Sequence, residues 1–272
     1  MKKIRLALSG SGTKAPAHVG AILAIQEAGF EIVELAGTSG GALCCALLAC
    51  GMTPGAMEDM VLGMDWRPLM AGSLFNLIRG RSYSAGNGLL EFMRTRTGGK
   101  KFGDLGVDLT IYSADLSSEG PHVFSTKRTP DVEVALAARA SASIPLYFEP
   151  VRIGDAVLVD GGLVSNLPID ALTIDEVPRL GIELTAKPLA LQSTSIVSLA
   201  PRLVDLMIQS TEDAHISIGR ASGATVAQVD TGFASSLDSN MDRRTRELLL
   251  LNGFSAATEA LRRIDAEIGY AE

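Results

Sequence analysis

The sequence predicts an α/β domain built around a parallel β-sheet. Two observations carry this. The β-rich apolar segment Ile4–Leu8 runs into Ser9-Gly10-Ser11-Gly12-Thr13 and then into a helical pattern through His18, Ile22, Ile25 and Gln26 that stops near Gly29. The plan then repeats, with Ile32–Ala36 as a strand, Gly37-Thr38-Ser39-Gly40-Gly41 as a sharp turn and Ala42–Cys50 as a buried helix ending at Gly51. Consecutive βα units bring their strands together in parallel, because the helix returns the chain to the edge where it started.

The elements downstream follow in order. Thr53-Pro54 starts another helix, with proline at the first helical position. Residues 69–99 hold several glycines and few strand signals. Their mixed stretch Leu74-Phe75-Asn76-Leu77-Ile78-Arg79-Gly80-Arg81 reads as a surface helix packing Leu74, Leu77 and Ile78 onto the body, with a lid over a site as the alternative. Leu109–Ser113 and His122–Ser125 are short strand-like runs, and an alanine-rich helix covers Val132–Ser143 before Pro145. Val157-Leu158-Val159 is a further strand, delivering Asp160-Gly161-Gly162 at its carboxyl end, the edge where ligands gather in open α/β sheets. Leu180–Leu184 reads as a closing strand, and Pro201–Ile218 and Arg243–Ile264 as covering helices. No internal repeat or linker divides the chain, so one domain is expected over residues 1–272.

Composition narrows the function classes. With 272 residues, 47% of them hydrophobic, the chain can bury a core large enough to support a concave site without disulfide or metal staples. A formal charge of −7 supplies no basic field for phosphate backbones, so nucleic acid is not an expected partner. The apolar run after Met1-Lys2-Lys3 is too short for a signal-peptide core and reads as a first strand. The longest apolar stretch, Ala42–Ala49, falls well short of the roughly 20 residues needed to span a bilayer. Cys44, Cys45 and Cys50 share one predicted helix, where the geometry disfavours pairing, and read as reduced thiols in a cytoplasmic protein.

The pentapeptide Gly37-Thr38-Ser39-Gly40-Gly41 fits G-x-S-x-G, a pattern in which a tight strand-to-helix turn leaves no room for a Cβ beside the serine and lifts its hydroxyl out of the sheet. The helix that follows aims its N-terminal dipole at developing negative charge. A serine nucleophile needs a base, and only His18, His122 and His215 offer imidazoles. None has a triad-like context, and Asp160, at a strand end before two glycines, is placed as a carboxylate base would be. The loop Ser9–Lys14 lacks both the third glycine of G-x-G-x-x-G, where Ala15 stands, and a G-K-[S/T] ending. An oxyanion hole of backbone N–H groups suits it better than a nucleotide phosphate site.

Together these residues resemble the patatin-like phospholipase family, whose pattern is a glycine-rich oxyanion loop, then G-x-S-x-G, then a distant D-G-[G/A]. The connecting segments Phe102–Leu105, Thr110–Leu116, Ala140–Pro145, Phe148–Val151 and Gly161–Pro168 are similar to the family's as well. The resemblance implies a three-layer α/β/α fold with a mostly parallel central sheet and a Ser39–Asp160 dyad at the strand carboxyl ends. It places the oxyanion loop at Gly10, Ser11 and Gly12, with Lys14 where a basic residue is expected and Gly37, Gly40, Gly161 and Gly162 in support. It implies a lipid or acyl ester substrate, peripheral contact with a lipid surface, and no metal or organic cofactor. Lys14 is either a charge supporting the site or a solvated surface lysine. Ser11 and Ala15 depart from the family's glycines, and a non-glycine there restricts positive φ, so the loop is expected to differ in shape.

Overall fold

The computed structural model describes residues 2–73, 75–76, 79–186, 206 and 215–271. Its strands are β1 (Lys2–Leu8), β2 (Phe30–Thr38), β3 (Asp108–Asp115), β4 (Gly120–Ser125), β5 (Val151–Ile153), β6 (Ala156–Asp160), β7 (Arg179–Thr185) and β8 (Thr225–Asp230). Its helices are α1 (Ala15–Glu27), α2 (Gly40–Ala49), α3 (Pro54–Gly63), α4 (Asn87–Thr97), α5 (Val134–Ser141) and α6 (Arg243–Ala271), with further helical turns at 215–221.

Among the described residues the strands form one sheet in the order β5-β6-β3-β2-β1-β7-β8, with β4 on the far edge of β3. The centre is parallel: β3, β2, β1, β7 and β8 run in one direction. Such strands are covered on both faces, so burial does not alternate along them: Ile4–Leu8 is buried without a break, with Arg5 held there by ion pairs to Glu34 and Asp175. The two faces differ in the size of what they bury. Ile4, Leu6, Leu8 and Leu35 point into the larger core, against α1, α2, α3 and α6, whereas Ala7 and Ala36 meet Leu167, Ile169, Leu172 and Ile216 on the other face. The main helical layer is tight. A Cβ on Gly20 of α1 would lie 1.9 Å from the Leu250 carbonyl of α6, and one on Gly253 of α6 would lie 1.8 Å from the Ala17 carbonyl of α1, so only glycine allows these backbones to cross as they do. The Thr53 side chain caps α3, accepting from the Ala56 N–H at 3.3 Å.

Three features differ from expectation. The strand that delivers Asp160 is not part of the parallel set: β6 runs antiparallel to β3 and pairs with β5 in a hairpin. The reason lies in the length of β3, which outruns β2. Asp108–Tyr112 pair with Glu34–Thr38 of β2, Ser113–Asp115 pair with Asp160–Leu158 of β6, and β4 occupies Thr110–Asp115. A strand has two edges, so β6 takes over the edge of β3 that β2 vacates, and the carboxyl ends of β2 and β6 meet head-on. Second, β5, β8 and α4 had no clear sequence signal, because β5 is a three-residue strand and α4 follows a glycine-rich stretch. Third, Cys50 caps α2 rather than belonging to it. Leu74, Leu77 and Ile78 and most of Pro201–Ile218 lie outside the described residues.

Candidate active site

Four chain segments converge where β2 and β6 meet. Ser39 follows the last residue of β2 and adopts φ 52°, ψ −124°, a region that side chains rarely occupy. Such strain costs on the order of 1–3 kcal/mol and persists only where the surroundings impose it. They do so here by close approach. A Cβ on Gly41 would sit 2.4 Å from the Leu8 and Ser9 carbonyls, one on Gly40 would sit 2.1 Å from Ser11 Oγ, and one on Gly37 would crowd Ala42 at 2.9 Å. The turn therefore packs directly on the end of β1 and the loop after it.

Ser39 Oγ donates to Asp160 Oδ2 at 2.7 Å, and the other carboxylate oxygen accepts from the Gly162 N–H at 2.9 Å. Both residues are buried. Burial pushes the Asp160 carboxyl up to about 6, against the opposing pull of the hydrogen bonds from Ser39 and Gly162. Gly161 is required where β6 ends, since a Cβ there would lie 2.1 Å from the Tyr112 carbonyl.

The loop after β1 lies alongside. Gly12 has φ +54°, and a Cβ on it would lie 2.1 Å from the Ser236 carbonyl. Ser11 (φ −141°) and Ala15 (φ −47°) need no positive φ, so neither non-glycine residue strains the backbone there. The N–H of Gly10, expected in the oxyanion loop, is already taken by the Asn166 backbone oxygen and Oδ1, both at 3.2 Å. The Thr13 N–H donates to Ser236 O and the Lys14 N–H to Ser11 O, so among the described residues the N–H groups of Ser11, Gly12 and Gly40 remain without acceptors. Lys14 is not a surface lysine. It is buried, with Nζ 3.0 Å from Thr231 Oγ1, and Thr231 in turn donates to the Thr185 carbonyl, so the side chain braces the loop against the ends of β7 and β8.

Beside Ser39 opens a narrow cleft, with Gly12 and Gly40 on one wall and Leu43, Trp66, Met70, Leu89 and Phe148 among its apolar lining. Among the described residues no three of His, Cys, Asp and Glu are grouped to hold a metal ion, and no helix is long and apolar enough to cross a membrane.

The histidines sit elsewhere. His18 is fully buried in α1 with Nε2 2.8 Å from the Ser9 carbonyl, and burial lowers it to about 4. His215 contacts Val164 O and Asp170, and His122 lies on β4 against Phe124. Four residues at the site had no individual signal in the sequence: Asn166, Ser141, Ser143 and Arg139. Three of them lie in the connecting segments that resemble the family's; Arg139, just before Ala140, donates to the carbonyls of Ala85, Gly86 and Glu149 and to Ser143 Oγ. Their bonds join segments far apart in the chain, and periodicity does not register such bonds.

Similarity to known proteins agrees with this architecture. The chain is 28% identical over 233 residues to YqhO of Bacillus subtilis, covering 76% of this chain and 79% of that one. It is 30% identical over 187 residues to the NTE family protein Mb2594 of Mycobacterium bovis, covering 64% of this chain and 29% of that one. A protein of invertebrate iridescent virus 6 named as a probable lipid hydrolase is 27% identical over 180 residues, covering 61% of each chain. Among solved structures, VipD from Legionella pneumophila superposes with a TM-score of 0.65 at 16% identity, over 96% of this chain and 67% of that one. ExoU, solved in its heterodimer with SpcU of Pseudomonas aeruginosa, gives 0.54 at 21% identity, over 97% of this chain and 51% of that one. These two show a shared fold. The chain thus spans under a third of the mycobacterial protein and about half of ExoU. The sequence profile of patatin-like phospholipases matches residues 6–173, a stretch that contains the loop after β1, the turn at Ser39 and the end of β6, and on that match the chain belongs to the patatin-like phospholipase family.

Proposed function

We propose that this chain is a serine acyl hydrolase that cleaves carboxyl ester bonds of lipids through a Ser39–Asp160 dyad. The observation that carries the reading is the 2.7 Å hydrogen bond from Ser39 Oγ to Asp160 Oδ2 beside an apolar cleft. A carboxyl held near 6 is ionised at neutral pH yet basic enough to take a proton, the compromise a general base needs. Family membership and the kinship with a probable lipid hydrolase support the lipid substrate.

In this mechanism the acyl chain lies along the apolar lining. The Ser39 proton passes to Asp160 Oδ2 as Oγ attacks the ester carbonyl carbon. The carbonyl oxygen becomes an oxyanion, received by the N–H groups of Ser11, Gly12 and Gly40, where the dipole of α2 adds to the stabilisation. Collapse expels the alcohol, which takes the proton back from Asp160, and leaves an acyl ester on Ser39. Water then gives a proton to Asp160 as its oxygen attacks that ester, and collapse releases the fatty acid while Ser39 Oγ takes the proton back from Asp160, restoring both residues. The chain's own residues account for every proton.

Labelling with a serine-reactive fluorophosphonate, followed by mass spectrometry of products from mixed phospholipids and neutral esters, tests the reading. Labelling at Ser39 with release of fatty acid is expected. A folded chain that is neither labelled nor active overturns it in favour of a silent lipid-binding module.

A further inference from the structure

We infer that Ser141, at the end of α5, is a positioning residue that sets the attack geometry of Ser39, a role that rests on the hydrolase reading above. The Ser39 N–H donates to Ser141 Oγ at 2.8 Å, and the same hydroxyl donates to the Tyr112 carbonyl at 2.5 Å. Tyr112 is the β3 partner of Thr38, the last residue of β2. In a parallel ladder the N–H after Thr38 would continue the pairing to β3 directly. At Ser39 the chain leaves the sheet with φ 52°, and the serine hydroxyl stands between donor and acceptor in place of the missing rung.

The same turn holds the other half of the dyad. The Asp160 N–H donates to the Ser143 carbonyl at 3.0 Å, and Arg139 Nη1 lies 2.5 Å from Ser143 Oγ. Arg139 is itself fixed by three carbonyls, those of Ala85, Gly86 and Glu149, and by its approach to the Phe148 ring at 4.9 Å. A single rigid turn, residues 141–143, thus grips the main chain of both Ser39 and Asp160. Neither serine hydroxyl hydrogen-bonds to Ser39 Oγ or to the Asp160 carboxylate among the described residues. Ser141 and Ser143 are wholly buried, so water does not compete for these bonds.

Removing the Ser141 hydroxyl leaves the Ser39 N–H and the Tyr112 carbonyl without partners and frees a strained residue to relax. Displacements near 1 Å cost up to about a hundredfold in rate when reacting groups must be aligned. Because the cleft is untouched, the loss should fall on kcat rather than KM.

The matched control is Ser113, one residue beyond Tyr112 on β3. It is equally buried, and its hydroxyl has no hydrogen-bond partner among the described residues. Ser113→Ala deletes the same atom from the same neighbourhood and breaks no bond.

The experiment compares the wild type, Ser141→Ala and Ser113→Ala as folded protein, with melting temperature recorded, and measures kcat, KM and the rate of fluorophosphonate labelling at Ser39. Ser141→Ala is expected to lose about tenfold or more in both kcat and labelling rate with KM within about twofold, and Ser113→Ala to stay within about twofold throughout. If Ser141→Ala is insoluble, Ser141→Cys, of similar volume and weaker hydrogen bonding, is judged by the same criteria. Wild-type rates in a folded Ser141 variant, or equal losses in the Ser113 control, overturn the positioning role alone. A wild type that is neither labelled nor active overturns the hydrolase reading and takes this role with it.

Discussion

Replacing Asp160 by asparagine should make the protein more stable and far less active at once. The carboxylate is buried, and it carries no ion-pair partner among the described residues; its two acceptor oxygens are met by Ser39 Oγ and the Gly162 N–H. Asparagine has the same shape. Its oxygen can accept from Gly162 while its amide donates to Ser39 Oγ, so neither neighbour is stranded. What disappears is the charge. Burial raises the carboxyl from 3.8 to about 6, and at about 1.4 kcal/mol per pH unit the ionised form costs the native state on the order of 3 kcal/mol. The sign follows from linkage. A carboxyl raised on folding gives the wild type stability that is fully present below about 4 and is lost as pH rises through about 6. The asparagine variant has no such loss, so its advantage should be about 3 kcal/mol at pH 8 and about half that at pH 5. Urea unfolding of both proteins at the two pH values measures it, and hydrolysis of a short-chain ester measures the accompanying loss of the base, expected at about a hundredfold or more. A variant less stable than wild type at pH 8, or an advantage independent of pH, would refute the account of Asp160 as a desolvated carboxylate.

Four further outcomes are expected. For the wild type, kcat/KM should fall about tenfold per pH unit below about 6, because the proposed base acts as its carboxylate, and a pH–rate profile checks this. Ser39→Ala should abolish labelling and hydrolysis while its melting temperature stays at or above the wild-type value, since no core volume is lost; near wild-type turnover would remove Ser39 from the mechanism. His122→Gln and His215→Gln should each keep kcat within about tenfold, a barrier change near 1.4 kcal/mol, and a loss matching that of Ser39→Ala would point to a triad. Gly12→Ala should lower both kcat and melting temperature, because the added Cβ meets the Ser236 carbonyl at 2.1 Å and φ is +54°, and unchanged kinetics would detach this loop from the oxyanion.

The sequence by itself determined the central βα units and the three motifs. Ile4–Leu8 and Ile32–Ala36 are β-rich segments, apolar but for Arg5 and Glu34, each leading into a glycine turn and a helix, and the glycines around Ser39 mark a turn with no space for Cβ atoms. Poverty in histidine and the position of Asp160 before two glycines were equally legible. Four matters were decided only in the folded chain. The direction of β6 depends on β3 outrunning β2, a difference in strand length that no local pattern records. The availability of loop N–H groups depends on Asn166, which occupies Gly10 from more than 150 residues away. Lys14 could be read from its neighbours as a surface cation, whereas burial against Thr231 follows from how the loop packs on β7 and β8. The clamp of Ser141 and Ser143 on Ser39 and Asp160 joins three distant segments at one point. Local propensity and periodicity report which face of an element is apolar, but hydrogen bonds between main-chain groups brought together by packing leave no periodic trace in the chain, so they become visible only when the sheet is assembled.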